Sequence, residues 1–134
     1  MTLFQLFLIG CGGFLGALSR YFVGTAVQSR VAQSSFPWGT FVINISGSFI
    51  LGLIATLLAE RVLTNPNWRP LVTIGFVGAY TTFSTFEYES LQLGSSWQAF
   101  LNMIGSVIAG YGAVWIGAHV AHMIAGQAAS HPVR

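Results

Sequence analysis

The sequence predicts an all-α membrane protein with four transmembrane helices, the third of them broken. Three observations carry this. Only 6% of the 134 residues are charged, with no lysine and no aspartate, whereas 54% are hydrophobic. Soluble proteins carry about 25% charged residues, and eight charged side chains would not cover the surface of a soluble domain of this size. Apolar stretches of the length a helical span needs, about 20 residues, recur along the chain. The segment Gly75–Phe86, GFVGAYTTFSTF, places two glycines and four hydroxyl residues inside such a stretch. Irregular backbone at membrane depth is tolerated only where it is buried in protein or lines a polar cavity. That segment therefore reads first as an ion site and second as packing.

Residues 1–134 read as one four-helix transmembrane domain. The first span runs from about Leu3 to Val23. Its apolar start resembles a signal peptide, but no arginine or lysine precedes it and no clear small-residue cleavage site ends it, so it reads as a retained span. The second span covers about Gly39 to Leu58, behind Phe36-Pro37-Trp38, which suits the headgroup level. Asn65-Pro66 breaks the chain before the third span, about Leu71 to Leu93, interrupted near Gly75–Thr81. The fourth covers about Trp97 to Ile124. Trp68 and Trp97 stand at the starts of spans three and four, as interfacial anchors do. The tail Gly126–Arg134 is polar and expected to be loose.

Orientation follows the arginine and lysine bias of the loops. One side would hold Arg61, Arg69 and Arg134, the other Arg30 and, at the end of span one, Arg20. Three against two is a weak bias. A single slightly biased topology and an antiparallel homodimer are both compatible with it. Small residues recur at four-residue spacing: Gly12 and Gly16; Asn44, Ser48 and Gly52; Asn102, Ser106 and Gly110. Such stripes let helices approach closely in lipid, either within one subunit or at a dimer seam. Four helices enclose little volume, so a pathway calls for a second copy.

Arg20 follows 19 residues without a charged side chain. An ionisable group at the edge of a span is expensive and commonly functional; here it either attracts anions to a vestibule or snorkels. Asn44 offers two uncharged donors to an anion, or serves as an interhelical clamp. Phe83 and Phe86 share one helix face. Their ring edges carry partial positive charge that suits an anion, although such pairs are also ordinary core. Gly75 and Gly78 permit an unwound turn, which would release carbonyls toward a cation and N–H groups toward an anion. Glu87 and Glu89 follow, at a wide mouth or paired with Arg20.

Other chemistry is excluded or weakly signalled. A single cysteine, Cys11, rules out an internal disulfide and reads as a small packing residue. His119 and His122 lie three apart without an evident third ligand. The net charge of +2 is too small and dispersed for nucleic acid. No nucleophile–base–acid set or phosphate loop is present, so no enzyme is expected.

Three motifs occur in order: GGFLGALSRY (Gly12–Tyr21), WGTFVINISGSFILG (Trp38–Gly52) and GFVGAYTTFSTF (Gly75–Phe86). Together they closely resemble the small fluoride channels called Fluc or CrcB, over nearly the whole chain. The resemblance implies an antiparallel, dual-topology homodimer in the bacterial inner membrane, with two fluoride pathways. It implies fluoride as the permeant ion, membrane lipid as surroundings, and a second copy as partner. It also implies a structural sodium ion at the dimer centre, held by main-chain carbonyls at positions matching Gly78 and Thr81. Asn44 matches the pore amide, Phe83 and Phe86 the pore phenylalanines, Ser84 and Thr85 the polar track, Arg20 the vestibule arginine, and Glu89 a family glutamate. Thr40, Asn102 and Ser106 are added as further pathway positions, and Glu87 has no counterpart. The implied function is passive export: hydrogen fluoride enters cells, loses its proton, and the trapped anion leaves through the channel.

Two alternatives stand beside it. A four-span proton-coupled multidrug exporter would need a carboxylate in span one, and none is there. A non-transporting membrane assembly subunit would need neither the broken helix nor the hydroxyl run.

Overall fold

A computed structural model describes residues 1–94 and 96–130. Ser95 in the last connection, and residues 131–134 including Arg134, lie outside the described residues. The described residues form helices, turns and bends, with no strand among them. In order these are α1 (Leu3–Arg30), α2 (Trp38–Ala59), a π-helical segment (Arg69–Phe76), α3 (Val77–Tyr80), α4 (Phe83–Gln92) and α5 (Trp97–Ser130). Three of them, α1, α2 and α5, are long and apolar enough to cross a membrane.

Helix α1 starts on a capping box: Thr2 Oγ1 accepts from the Gln5 N–H at 3.2 Å, and the Thr2 N–H donates to Gln5 Oε1 at 3.0 Å. It continues past the predicted end at Val23 to Arg30, because Gly24–Arg30 contains no proline or turn pair to stop it. At 1.5 Å per residue its 28 residues reach about 42 Å, so its last turns exceed the hydrocarbon thickness of about 30 Å. Helix α5 likewise outruns the predicted Ile124. The residues expected to begin a loose tail, from Gly126 to Ser130, are helical.

Two seams bring backbones together. A Cβ on Gly12 would collide with the Leu71 carbonyl, and one on Gly16 with the Phe76 carbonyl, so α1 lies directly on the π-helical segment. A Cβ on Gly52 would collide with the Val114 carbonyl, and one on Gly117 with the Phe49 carbonyl, which fixes α2 against α5. The stripes through Gly12, Gly16 and Gly52 thus pack within the chain. Gly117 belongs to the same seam although the four-residue spacing did not include it.

The interruption in the third apolar segment, predicted near Gly75–Thr81, falls at the C-terminal edge of that range. The chain is helical through Gly75 and Gly78 and becomes extended only at Thr81 (φ −76°, ψ 157°) and Thr82 (φ −150°, ψ 117°). Upstream of α3 it is π-wound, with the Val77 N–H donating to the Val72 carbonyl. Gly75 serves close approach rather than unwinding: a Cβ there would stand 2.7 Å from the Ile9 carbonyl.

Candidate ion pathway

What holds Thr81 and Thr82 extended is a side chain from another helix. The Thr82 N–H donates to Asn44 Oδ1 at 2.8 Å, and Asn44 Nδ2 donates to the Thr82 carbonyl at 3.1 Å. The amide therefore pairs with the main chain as a neighbouring strand would. Thr82 then caps α4. Its Oγ1 accepts from the Thr85 N–H at 3.4 Å and donates to Thr85 Oγ1 at 2.9 Å. Upstream, Thr81 Oγ1 donates to the Val77 carbonyl at 2.9 Å. Ser46 Oγ and the Tyr80 hydroxyl lie 2.9 Å apart and pin α3 to α2. Gly47 leaves the space that the Thr81 methyl occupies.

This arrangement redirects two donors. In an unbroken helix the Thr82 N–H would serve the Gly78 carbonyl, and the Thr85 N–H the Thr81 carbonyl. Here they go to Asn44 and to Thr82 Oγ1. The Gly78 and Thr81 carbonyls are thereby released from helical pairing, and Gly78 is exposed with open space around it. Carbonyl oxygens suit a hard cation. The opposite end of the break is the N-terminus of α4, whose first N–H groups and dipole favour negative charge.

Two cavities flank the break, and Thr82 lines both. The larger, about 720 Å³, brings together Arg20, Thr40, Thr85 and Glu89. One Glu89 carboxylate oxygen, Oε2, is buried there without a hydrogen-bond partner. Arg20 and Glu89 share this cavity but form no ion pair with each other; elsewhere His122 Nδ1 and Glu60 Oε1 lie 3.1 Å apart. The smaller cavity, about 380 Å³, brings together Asn44, Thr81, Phe83, Phe86 and Ser106. The Phe83 and Phe86 ring centroids lie 5.8 Å apart. Phe83 is 70% exposed and Phe86 only 8%, so the pair reaches from the interior to an open face.

The remaining predicted positions lie apart from the cavities. Ser84 is exposed at the start of α4, and Glu87 is exposed one turn later. Asn102 is buried at 1% exposure and is bonded to Ser106, which lines the smaller cavity. His119 stacks on Trp115, and His122 pairs with Glu60, so the two histidines do not form a joint site. Cys11 is a free thiol. Thr82, at the centre of the break, and Ser90 are not among the predicted positions. Thr82 was signalled only by membership in the hydroxyl run. Ser90 was signalled by lying four residues after Phe86.

Residues 7–118 match the family described as CrcB-like protein, Camphor Resistance (CrcB). The chain belongs to the CrcB family. A relative from Solibacter usitatus, named "Fluoride-specific ion channel FluC", is 50% identical over 117 residues, covering 85% of this chain and 95% of its own length. One of the same name from Acidobacterium capsulatum is 45% identical over 119 residues, covering 87% and 94%. Another from Magnetococcus marinus is 41% identical over 123 residues, covering 90% and 99%. With this membership and three membrane-length helices, the chain is a multi-pass membrane protein.

Proposed function

We propose that the chain is a fluoride-selective channel, not an enzyme, that lets fluoride leave the cytoplasm passively across the bacterial inner membrane. The observation that carries this reading is the meeting of two cavities at Thr82, one bearing Arg20 and the other the Phe83–Phe86 pair. Fluoride is small and strongly hydrated, so a pathway must replace its water with donors and ring edges, yet bind weakly enough for release. Arg20 draws the anion to the larger cavity. Thr40 and Thr85 offer hydroxyls there, and the exposed Ser84 offers another at the α4 start. Asn44 holds the break open with one Nδ2 hydrogen and presents the other to the smaller cavity. Phe83 and Phe86 turn ring edges toward the ion, with Ser106 beside them and Asn102 bonded to Ser106. Glu89 lines the same cavity as Arg20.

The π-helical segment, α3 and α4 act as one broken membrane span, giving four spans in all. Two copies pair antiparallel, inserted in opposite orientations, with Gly78 and Phe83 at the shared face; their exposure supports this. The released Gly78 and Thr81 carbonyls fit a structural sodium ion, which would bring positive charge to the centre of that face. Growth of a fluoride-hypersensitive bacterial strain lacking its own exporter tests the function. Restored growth on fluoride supports it, and no restoration at confirmed membrane expression contradicts it.

A further inference from the structure

Helix α4 is tied to α5 by a directional relay that the pathway residues above do not explain. The Ser90 hydroxyl donates to the Phe86 carbonyl at 2.7 Å. Its single hydrogen is thereby spent, so toward α5 Ser90 Oγ acts as an acceptor. Asn102 Nδ2 donates to it at 2.8 Å. This fixes the flip of the amide, and Asn102 Oδ1 accepts from the Ser106 hydroxyl at 3.3 Å. Ser90 is 7% exposed and Asn102 1%. Every hydrogen in the chain points from Ser106 toward Phe86, and both ends of the relay, Phe86 and Ser106, line the smaller cavity.

We propose that Ser90 is a positioning residue of the ion pathway: acting through Asn102, it sets the register of Phe86 against Ser106 and the direction of the hydroxyl between them. The inference rests on the fluoride-channel reading. A buried amide that loses its acceptor pays its full desolvation penalty, so a substitution at Ser90 displaces Asn102 rather than leaving it in place. Thr at this position retains the hydroxyl, and alanine removes it.

The test is fluoride efflux from liposomes for Ser90→Ala and Ser90→Thr, each alone and combined with Asn102→Ala. Ser90→Ala is expected to slow fluoride efflux about ten-fold, with the dimer retained on size exclusion, and Ser90→Thr to restore it to within about two-fold of wild type. In the Asn102→Ala background, Ser90→Ala should add nothing, because its effect passes through that amide. Wild-type flux in Ser90→Ala overturns the proposal, as does an equal further loss in the Asn102→Ala background. If Asn102→Ala is silent, hydrogen exchange of α4 amides replaces flux in the comparison: non-additive gains in exchange support the coupling, and additive gains overturn it. A wild-type chain that passes no fluoride overturns the channel reading and this proposal with it, an outcome distinct from wild-type conduction with an indifferent Ser90.

Discussion

The Asn44 side chain and the Thr82 main chain, 38 positions apart, exchange hydrogen bonds of 2.8 and 3.1 Å. One amide on α2 thus supplies what an unbroken helix would have supplied, and leaves the Gly78 and Thr81 carbonyls to other partners. Replacing it tests whether the break is held from outside. Asn44→Asp keeps an acceptor for the Thr82 N–H but sets a carboxylate against the Thr82 carbonyl. Losing that donor and leaving a buried carbonyl unpaired costs about 1–3 kcal/mol, and the negative charge repels the permeant anion. Fluoride flux should fall at least about ten-fold at normal expression. Normal flux in the liposome assay would remove Asn44 from the pathway.

Phe83 and Phe86 differ in burial, and that difference predicts different consequences. Phe83 is exposed on the single chain, so Phe83→Ile should leave the subunit fold intact; isoleucine keeps an apolar contact at the shared face, so the dimer should stay assembled, while conduction is impaired through loss of the ring edge. Size exclusion and efflux on the same preparation check both halves. Wild-type flux would reduce Phe83 to packing.

The α2–α5 seam makes a prediction about stability alone. Gly117→Ala places a methyl group against the Phe49 carbonyl and near the Leu53 N–H. Overpacking of this kind costs about 1–3 kcal/mol, which should lower the thermal unfolding midpoint in detergent. Gly78→Ala meets nothing within 4 Å in the single chain, so it should leave the monomer fold unchanged and report on whatever faces Gly78. An equal midpoint for Gly117→Ala and wild type would contradict the backbone contact.

Much of this was legible in the sequence, for a physical reason. Apolar length is a property of the chain itself, so α1, α2 and α5 were found, with Arg20, Asn44 and Phe83 on them or on the neighbouring segment. The helices run past the predicted span ends because nothing local stops α1 at Val23 or α5 at Ile124. The position of the extended residues was only partly legible. Gly75 and Gly78 suggested unwinding there, but Gly75 accommodates α1, and the chain opens at Thr81–Thr82, where Asn44 reaches it. Ser90 was missed for the same reason: its partner Asn102 lies on another helix, and spacing within α4 does not encode it.

Paired orientation has its own test. Arginines added to the Arg61–Arg69 connection should force one topology under the positive-inside rule. The biased chain should then lose function alone and regain it when co-expressed with an oppositely biased copy. Full activity of the biased chain by itself would contradict antiparallel pairing.

The most direct measurement of the central claim is ion efflux from liposomes carrying the purified chain, with valinomycin to balance charge and chloride as the control. Rapid loss of fluoride with retention of chloride is the predicted result. Retention of both ions by protein shown to be a folded dimer, or release of both at similar rates, would contradict a fluoride-selective channel.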